Sequence, residues 1–148
     1  MRTINTFGFI KLYEVYEEEL NVYLVLEYVK GPTLFETNQM RLQFKEHEIR
    51  HTFNMLVEAL DHVHFKKIVL RDLNSNSINL REKGKPGFAN KPLIVNFEDC
   101  YREDDHEYLS LRIGTIGYIA PEVLQLKFDS HTTDFYKADI FSLGVVIY

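Results

Sequence analysis

An α+β fold is what this sequence predicts, and three stretches of it carry the prediction. Two β-branched and aromatic runs, residues 10–16 and 22–29, flank the acidic turn 17–21 and form an antiparallel hairpin. A long amphipathic helix follows over about 45–66. There Ile49, Phe53, Leu56, Leu60 and Val63 recur at 4-3-4-3 spacing, which keeps them on one face at about 100° per residue. A last helix is expected from near Lys137. From Ile140 onward it is apolar on every side apart from Ser142 and Gly144, and a helix without a polar face belongs inside a protein.

The remaining elements take their order from turn chemistry. Lys30-Gly31-Pro32 breaks the second strand and releases a short connecting segment. Short strands are expected near 78–81 and 93–95, separated by a Gly/Pro/Lys-rich excursion over 82–92. Residues 97–120 look like a long irregular loop, which in a compact domain is usually functional or disordered. Asp139 falls at the start of the apolar helix. It needs hydrogen-bonding partners there, because an unpaired buried carboxylate is very costly.

Composition sets the outer bounds. A chain of 148 residues is one domain at most, and a compact one of this size buries roughly 68–70% of its unfolded surface. An apolar content of 45% with 14% aromatic residues excludes a disordered chain. The net charge of −5, with no basic stripe, argues against a nucleic-acid partner. The single cysteine, Cys100, permits no internal disulfide and fits a reducing compartment, so an intracellular, cytoplasmic location is expected. The N-terminus lacks the apolar run of a signal peptide, and residues 140–148 are too short to span a bilayer.

Four segments carry chemistry. Residues 68–80 read Ile-Val-Leu-Arg-Asp-Leu-Asn-Ser-Asn-Ser-Ile-Asn-Leu, and Asn96-Phe97-Glu98 follows the second short strand. Residues 114–122 read Gly-Thr-Ile-Gly-Tyr-Ile-Ala-Pro-Glu, and residues 136–146 read Tyr-Lys-Ala-Asp-Ile-Phe-Ser-Leu-Gly-Val-Val. In that order and at those spacings they resemble the eukaryotic protein kinase domain of the Ser/Thr type. The first resembles the catalytic loop His-Arg-Asp-Leu-Lys-Pro-Glu-Asn-Ile-Leu, the second the metal-binding Asp-Phe-Gly, the third the end of an activation segment. The long excursion between the short strands resembles the calmodulin-dependent group.

The resemblance implies a partial kinase domain, truncated at both ends. Residues 1–29 would hold small-lobe strands and the hinge, and 30–148 part of the large lobe. Asp72 would be the candidate base, with Arg71 and Thr115 beside it. Leu26 would be the gatekeeper, Glu27, Tyr28 and Val29 would offer backbone groups to an adenine, and Asn79 would lie beneath its ring. Ser77 and Asn96 would occupy the two magnesium positions. ATP and Mg²⁺ would be the cofactors of an active form, and proteins its substrates or partners. In this family the Asp corresponding to Asp139 accepts hydrogen bonds from the catalytic-loop backbone.

Three departures from the pattern bear directly on phosphate transfer. Magnesium favours anionic oxygen and strict octahedral geometry, yet Asn96 and Ser77 are neutral. Asn74 stands where an ammonium normally lies near the transferring phosphate. Each loss of a preorganised stabiliser costs roughly 10²–10³ in rate. The expected function is therefore a catalytically impaired pseudokinase or kinase remnant with a binding or regulatory role. The alternative is an active Ser/Thr kinase of which this chain is a part.

Several residues also have structural readings. Asp72 can instead cap backbone amides of its own loop. Arg71 can await a phosphorylated residue, although Leu111 stands at the usual acceptor position with Ser110 and Tyr108 nearby. It can also pair with an acid from Glu103–Glu107. Asp99 would replace Asn96 as a metal ligand only with a register shift. His47-Glu48-Ile49-Arg50-His51 satisfies the His-Glu-x-x-His zinc pattern, but both histidines lie opposite the apolar stripe, so a solvated face is expected and no metal. If the chain stood alone, Leu143, Val145, Val146 and Ile147 would have few partners from their own chain, and a poorly soluble or molten protein is expected.

Overall fold

The computed structural model describes residues 7–40, 44–82, 91–105, 111–126 and 133–148. Residues 83–90, most of the excursion expected over 82–92 and with them the feature suggesting the calmodulin-dependent group, lie outside them. So do His106, Glu107, Tyr108 and Ser110.

The hairpin forms as expected. Strand β1, Leu12–Glu17, pairs antiparallel with β2, Val22–Leu26, across a turn closed by the Glu18 N–H on the Asn21 carbonyl at 2.9 Å. β2 stops short of Val29, because Leu12 opposite Leu26 is the last paired residue of β1. A final rung runs from the Glu27 N–H to the Lys11 carbonyl at 2.8 Å. The chain then crosses the next strand at Gly31, where an added Cβ would lie 1.8 Å from the Leu80 carbonyl oxygen. Only glycine permits that approach. Gly31→Ala should therefore separate the segment following β2 from the strand carrying Asn79, and hydrogen exchange at Leu80 should accelerate, since its N–H bonds the Pro32 carbonyl at 2.8 Å.

A short helix was missed in the connecting segment: α1, Leu34–Gln39. Thr33 Oγ1 accepts the Glu36 N–H at 3.0 Å, and the Glu36 carboxylate accepts the Thr33 N–H at 2.9 Å. This Thr-x-x-Glu capping box was legible in the sequence. Helix α2, Glu46–Phe65, matches its predicted span to within a residue at each end. Met55, Leu56, Ala59, Leu60 and Val63 are its buried face, with Phe53 packed alongside. Ile49, assigned to the same stripe, is 37% exposed, because the helix meets the core only from its second turn.

Four further strands and two helices complete the order. β3, Ile68–Val69, pairs with β6, Tyr101–Arg102, and β4, Ile78–Leu80, pairs with β5, Pro92–Ile94, all antiparallel. β6 lies inside the stretch expected to be wholly irregular; two residues are too few to show a period. Helix α3, Pro121–Leu124, starts on a proline at its first position, where no N–H is needed. Helix α4, Phe135–Ile147, begins two residues before the expected start, with the Asp134 carboxylate capping the Lys137 N–H at 3.2 Å.

One core joins α2, β3, β4, β5 and α4 through Leu56, Leu60, Val63, Ile78, Ile94 and Leu143. Leu143, expected to have few partners, is 1% exposed within it, and Val146 and Ile147 pack against its edge. Ile140 and Phe141 are the exposed apolar residues of α4, so this helix buries one face rather than all of them. Leu60→Ala, at a fully buried position, should cost roughly 2–5 kcal/mol in urea denaturation. Among the described residues no helix is long and apolar enough to cross a membrane.

Candidate functional site

The loop between β3 and β4 is fastened by one carboxylate. Asp139, 1% exposed on α4, accepts the Leu70 N–H and the Arg71 N–H at 2.8 Å each and faces His64 Nε2 at 2.9 Å. These are the partners its burial demanded. Arg71 has φ +67°, a left-handed conformation costing a non-glycine residue of order 1–3 kcal/mol unless its surroundings over-determine it. The paired amide bonds supply that determination. His64, to which sequence reasoning assigned nothing, is therefore part of the loop's anchor, held edge-on by the Tyr136 ring at 4.8 Å.

The Arg71 side chain is buried as well. Its guanidinium lies 5.5 Å from the ring centroids of both Tyr101 and Phe135 and donates to the Leu111 carbonyl. Each ring face attracts the cation. Burial pulls the Arg71 pKa below its ordinary value, opposed by Asp99, Tyr101 and Asp139. Two of the acids expected to neutralise it are engaged elsewhere. Glu103 pairs with Lys67 at 3.8 Å and Asp104 with Arg102 at 3.0 Å.

Asp72, Thr115 and Asn74 meet. Thr115 Oγ1 donates to the Asp72 carboxylate at 2.6 Å and accepts from Asn74 Nδ2 at 3.0 Å. Among the described residues the Asp72 carboxylate thus bonds a hydroxyl rather than a backbone amide. Gly114 (φ +142°) lets this segment pass beside the Arg71 carbonyl, 3.2 Å from where a Cβ would stand. Tyr118 ties it down, its hydroxyl 2.8 Å from Ser75 Oγ and its carbonyl accepting Ser142 Oγ at 2.8 Å.

The residues expected at the two magnesium positions, Ser77 and Asn96, both hydrogen-bond to neighbouring backbone. Ser77 is 3% exposed, and its hydroxyl accepts the Asn74 N–H and donates to the Asn74 carbonyl, both at 2.9 Å. Asn74 Oδ1 closes the same turn by accepting the Asn76 and Ser77 N–H groups at 2.9 and 3.1 Å. Asn96 Oδ1 accepts the Glu98 N–H at 3.1 Å. A divalent cation would find two neutral oxygens here, each already hydrogen-bonded, and no carboxylate in either place.

The residues expected at the hinge, 26–29, run on from the end of β2. Leu26 and Val29 are half-buried, Tyr28 is exposed, and the Glu27 carboxylate pairs with Arg81 at 3.0 Å. Among the described residues, Val29 makes no backbone hydrogen bond. Asn79 sits on β4 opposite Leu93 and donates to the Gly31 carbonyl at 3.1 Å. On α2, His47 is exposed and His51 half-buried, and among the described residues no three His, Cys, Asp or Glu are placed to hold a metal.

The protein kinase domain family matches residues 1–148, the whole sequence. The chain belongs to that family. This kinase domain is 31% identical over 148 residues to CBL-interacting protein kinase 33 of Oryza sativa subsp. japonica, covering all of this chain and 31% of that protein. It is 33% identical over 149 residues to calcium-dependent protein kinase 5 of Plasmodium berghei, covering all of this chain and 25% of that one. Sperm motility kinase 3A of Mus musculus is 34% identical over 139 residues, 94% of this chain and 26% of its own length. The chain thus spans about a quarter to a third of these relatives.

Cys100 illustrates how closed the kinase loop is. Its Sγ lies 3.9 Å from the Leu70 carbonyl, and burial, aided by Asp139, pushes the thiol pKa up to about 12. The protonated thiol is favoured in the folded chain, so the contribution is complete below the unfolded thiol's pKa. It declines as pH rises from about 9 toward 12. Alkylation by iodoacetamide at pH 7.5 (about neutral) should be slow in the folded chain and fast in urea.

Proposed function

We propose that this protein kinase domain is catalytically impaired and acts by binding or regulation, as a pseudokinase or kinase remnant. Residues 1–29 form its small-lobe strands and hinge, and 30–148 part of its large lobe. The observation that carries this reading is the closure of the Ser77 hydroxyl on both backbone groups of Asn74. Opening it toward a metal would break two buried hydrogen bonds, each worth about 0.5–1.5 kcal/mol net, and would deliver only a neutral oxygen. ATP binding would rest on the hinge, through Val29, without productive Mg²⁺. The lone thiol supports an intracellular, cytoplasmic location.

A thermal-shift titration with ATP, with and without Mg²⁺, tests the reading directly. Stabilisation of equal size in both supports it. Stabilisation that requires Mg²⁺, together with γ-phosphate transfer abolished by Asp72→Ala, would overturn it. The second reading, an active serine/threonine kinase acting on protein substrates, is favoured by the Thr115–Asp72 bond at 2.6 Å, which keeps the candidate base beside the activation segment.

A further inference from the structure

Three neutral groups from separate parts of the chain meet the guanidinium of Arg71. Tyr101 stands opposite Val69 in the β3–β6 pair, so the ladder sets its ring beside the loop that begins at Leu70. Phe135 opens α4 and packs, half-buried, against the cluster of Ala120, Val123, Leu126 and Ala138. Each ring centroid lies 5.5 Å from the guanidinium carbon. The third group is the Leu111 carbonyl, which accepts a hydrogen bond from Arg71. Leu111 is 47% exposed and Arg71 6%, so it is the backbone of Leu111 that meets the buried cation.

A second arginine repeats the contact one residue on. Arg112 donates through Nε and Nη2 to the Leu126 carbonyl at 3.1 and 2.7 Å, joining the same stretch to the chain just beyond α3. Gly114 beside the Arg71 carbonyl and Thr115 on Asp72 continue the seam. A phosphate facing an arginine orders a segment through charge-assisted hydrogen bonds. Leu111, at the usual acceptor position, has no hydroxyl to carry one. Two ring faces and a carbonyl engage the cation instead, and a backbone carbonyl is supplied by any residue, modified or not.

We propose that Tyr101, Phe135 and the Leu111 carbonyl form a clamp on Arg71 that keeps residues 111–115 docked on the catalytic loop without phosphorylation. Tyr101 and Phe135 are positioning residues in this clamp, which operates whether or not the domain transfers phosphate. Hydrogen exchange of the purified full chain, read by mass spectrometry before and after phosphatase treatment, tests it. The Tyr118 and Ile119 N–H groups both bond the Thr115 carbonyl, at 3.0 and 3.1 Å, and report docking of the segment. They should exchange at the same rate in both samples. Tyr101→Leu with Phe135→Leu should speed them at least about tenfold while β4–β5 amides keep the parent's rate. Phe135→Tyr, which keeps a ring face, should stay within about twofold of the parent. Leu111→Glu decides the matter should the double variant fail to fold. Its exposed side chain leaves the carbonyl in place, so no change is expected; slowing by about tenfold would show that Arg71 awaits an anion. That slowing, faster exchange after phosphatase, a folded double variant exchanging like the parent, or Phe135→Tyr exchanging like the double variant would overturn the proposal.

Discussion

Asp139→Ala should be the most damaging single substitution in this chain, lowering stability by roughly 3–5 kcal/mol. The carboxylate is 1% exposed and accepts two backbone N–H groups, at Leu70 and Arg71, while facing His64. Alanine would leave those donors buried and unpaired, at about 1–3 kcal/mol for each. Arg71 would also lose what holds its left-handed backbone. Asp139→Asn keeps an acceptor for one amide and should cost less, roughly half as much. Urea denaturation gives both values, and hydrogen exchange at Leu70 and Arg71 should speed up before global unfolding. A loss below about 1 kcal/mol for the alanine variant would show that the loop is anchored elsewhere.

The second large effect concerns the metal. ATP affinity of the parent should change less than about twofold on adding Mg²⁺, because neither Ser77 nor Asn96 supplies an anionic oxygen. Asn96→Asp combined with Ser77→Asn should make the affinity depend on Mg²⁺ by at least about tenfold, the aspartate providing the missing charge. Replacing Ser77 also opens the turn closed on Asn74, so the double variant should melt slightly lower than the parent. Isothermal titration with and without the cation measures the difference. A double variant as indifferent to Mg²⁺ as the parent would show that these positions do not set metal binding.

Much of this was legible in the sequence because it depends on neighbours in the chain. The hairpin follows from two β-branched runs and an acidic turn, and α2 from a 3.6-residue period read from Phe53 to Val63. Asp139's need for partners follows from an apolar helix with one carboxylate in it. The capping box of α1 was equally local and was overlooked because the helix has only six residues. β6 could not be seen at all: its two residues are strand only because Ile68 and Val69 lie opposite.

Sequence motifs by themselves determined the family and nominated the side chains expected where a kinase holds its base, hinge and metal. They also determined that the residues nominated for the metal are neutral, since charge is a property of the residue alone. What only the tertiary structure decided is how those side chains are used. His64 reaches Asp139 across 75 residues, Arg71 settles between Tyr101 and Phe135, and the Ser77 hydroxyl turns back on Asn74. Hydrogen-bond direction and burial belong to partners distant in sequence, and no local pattern encodes which partner a folded chain will bring within 3 Å.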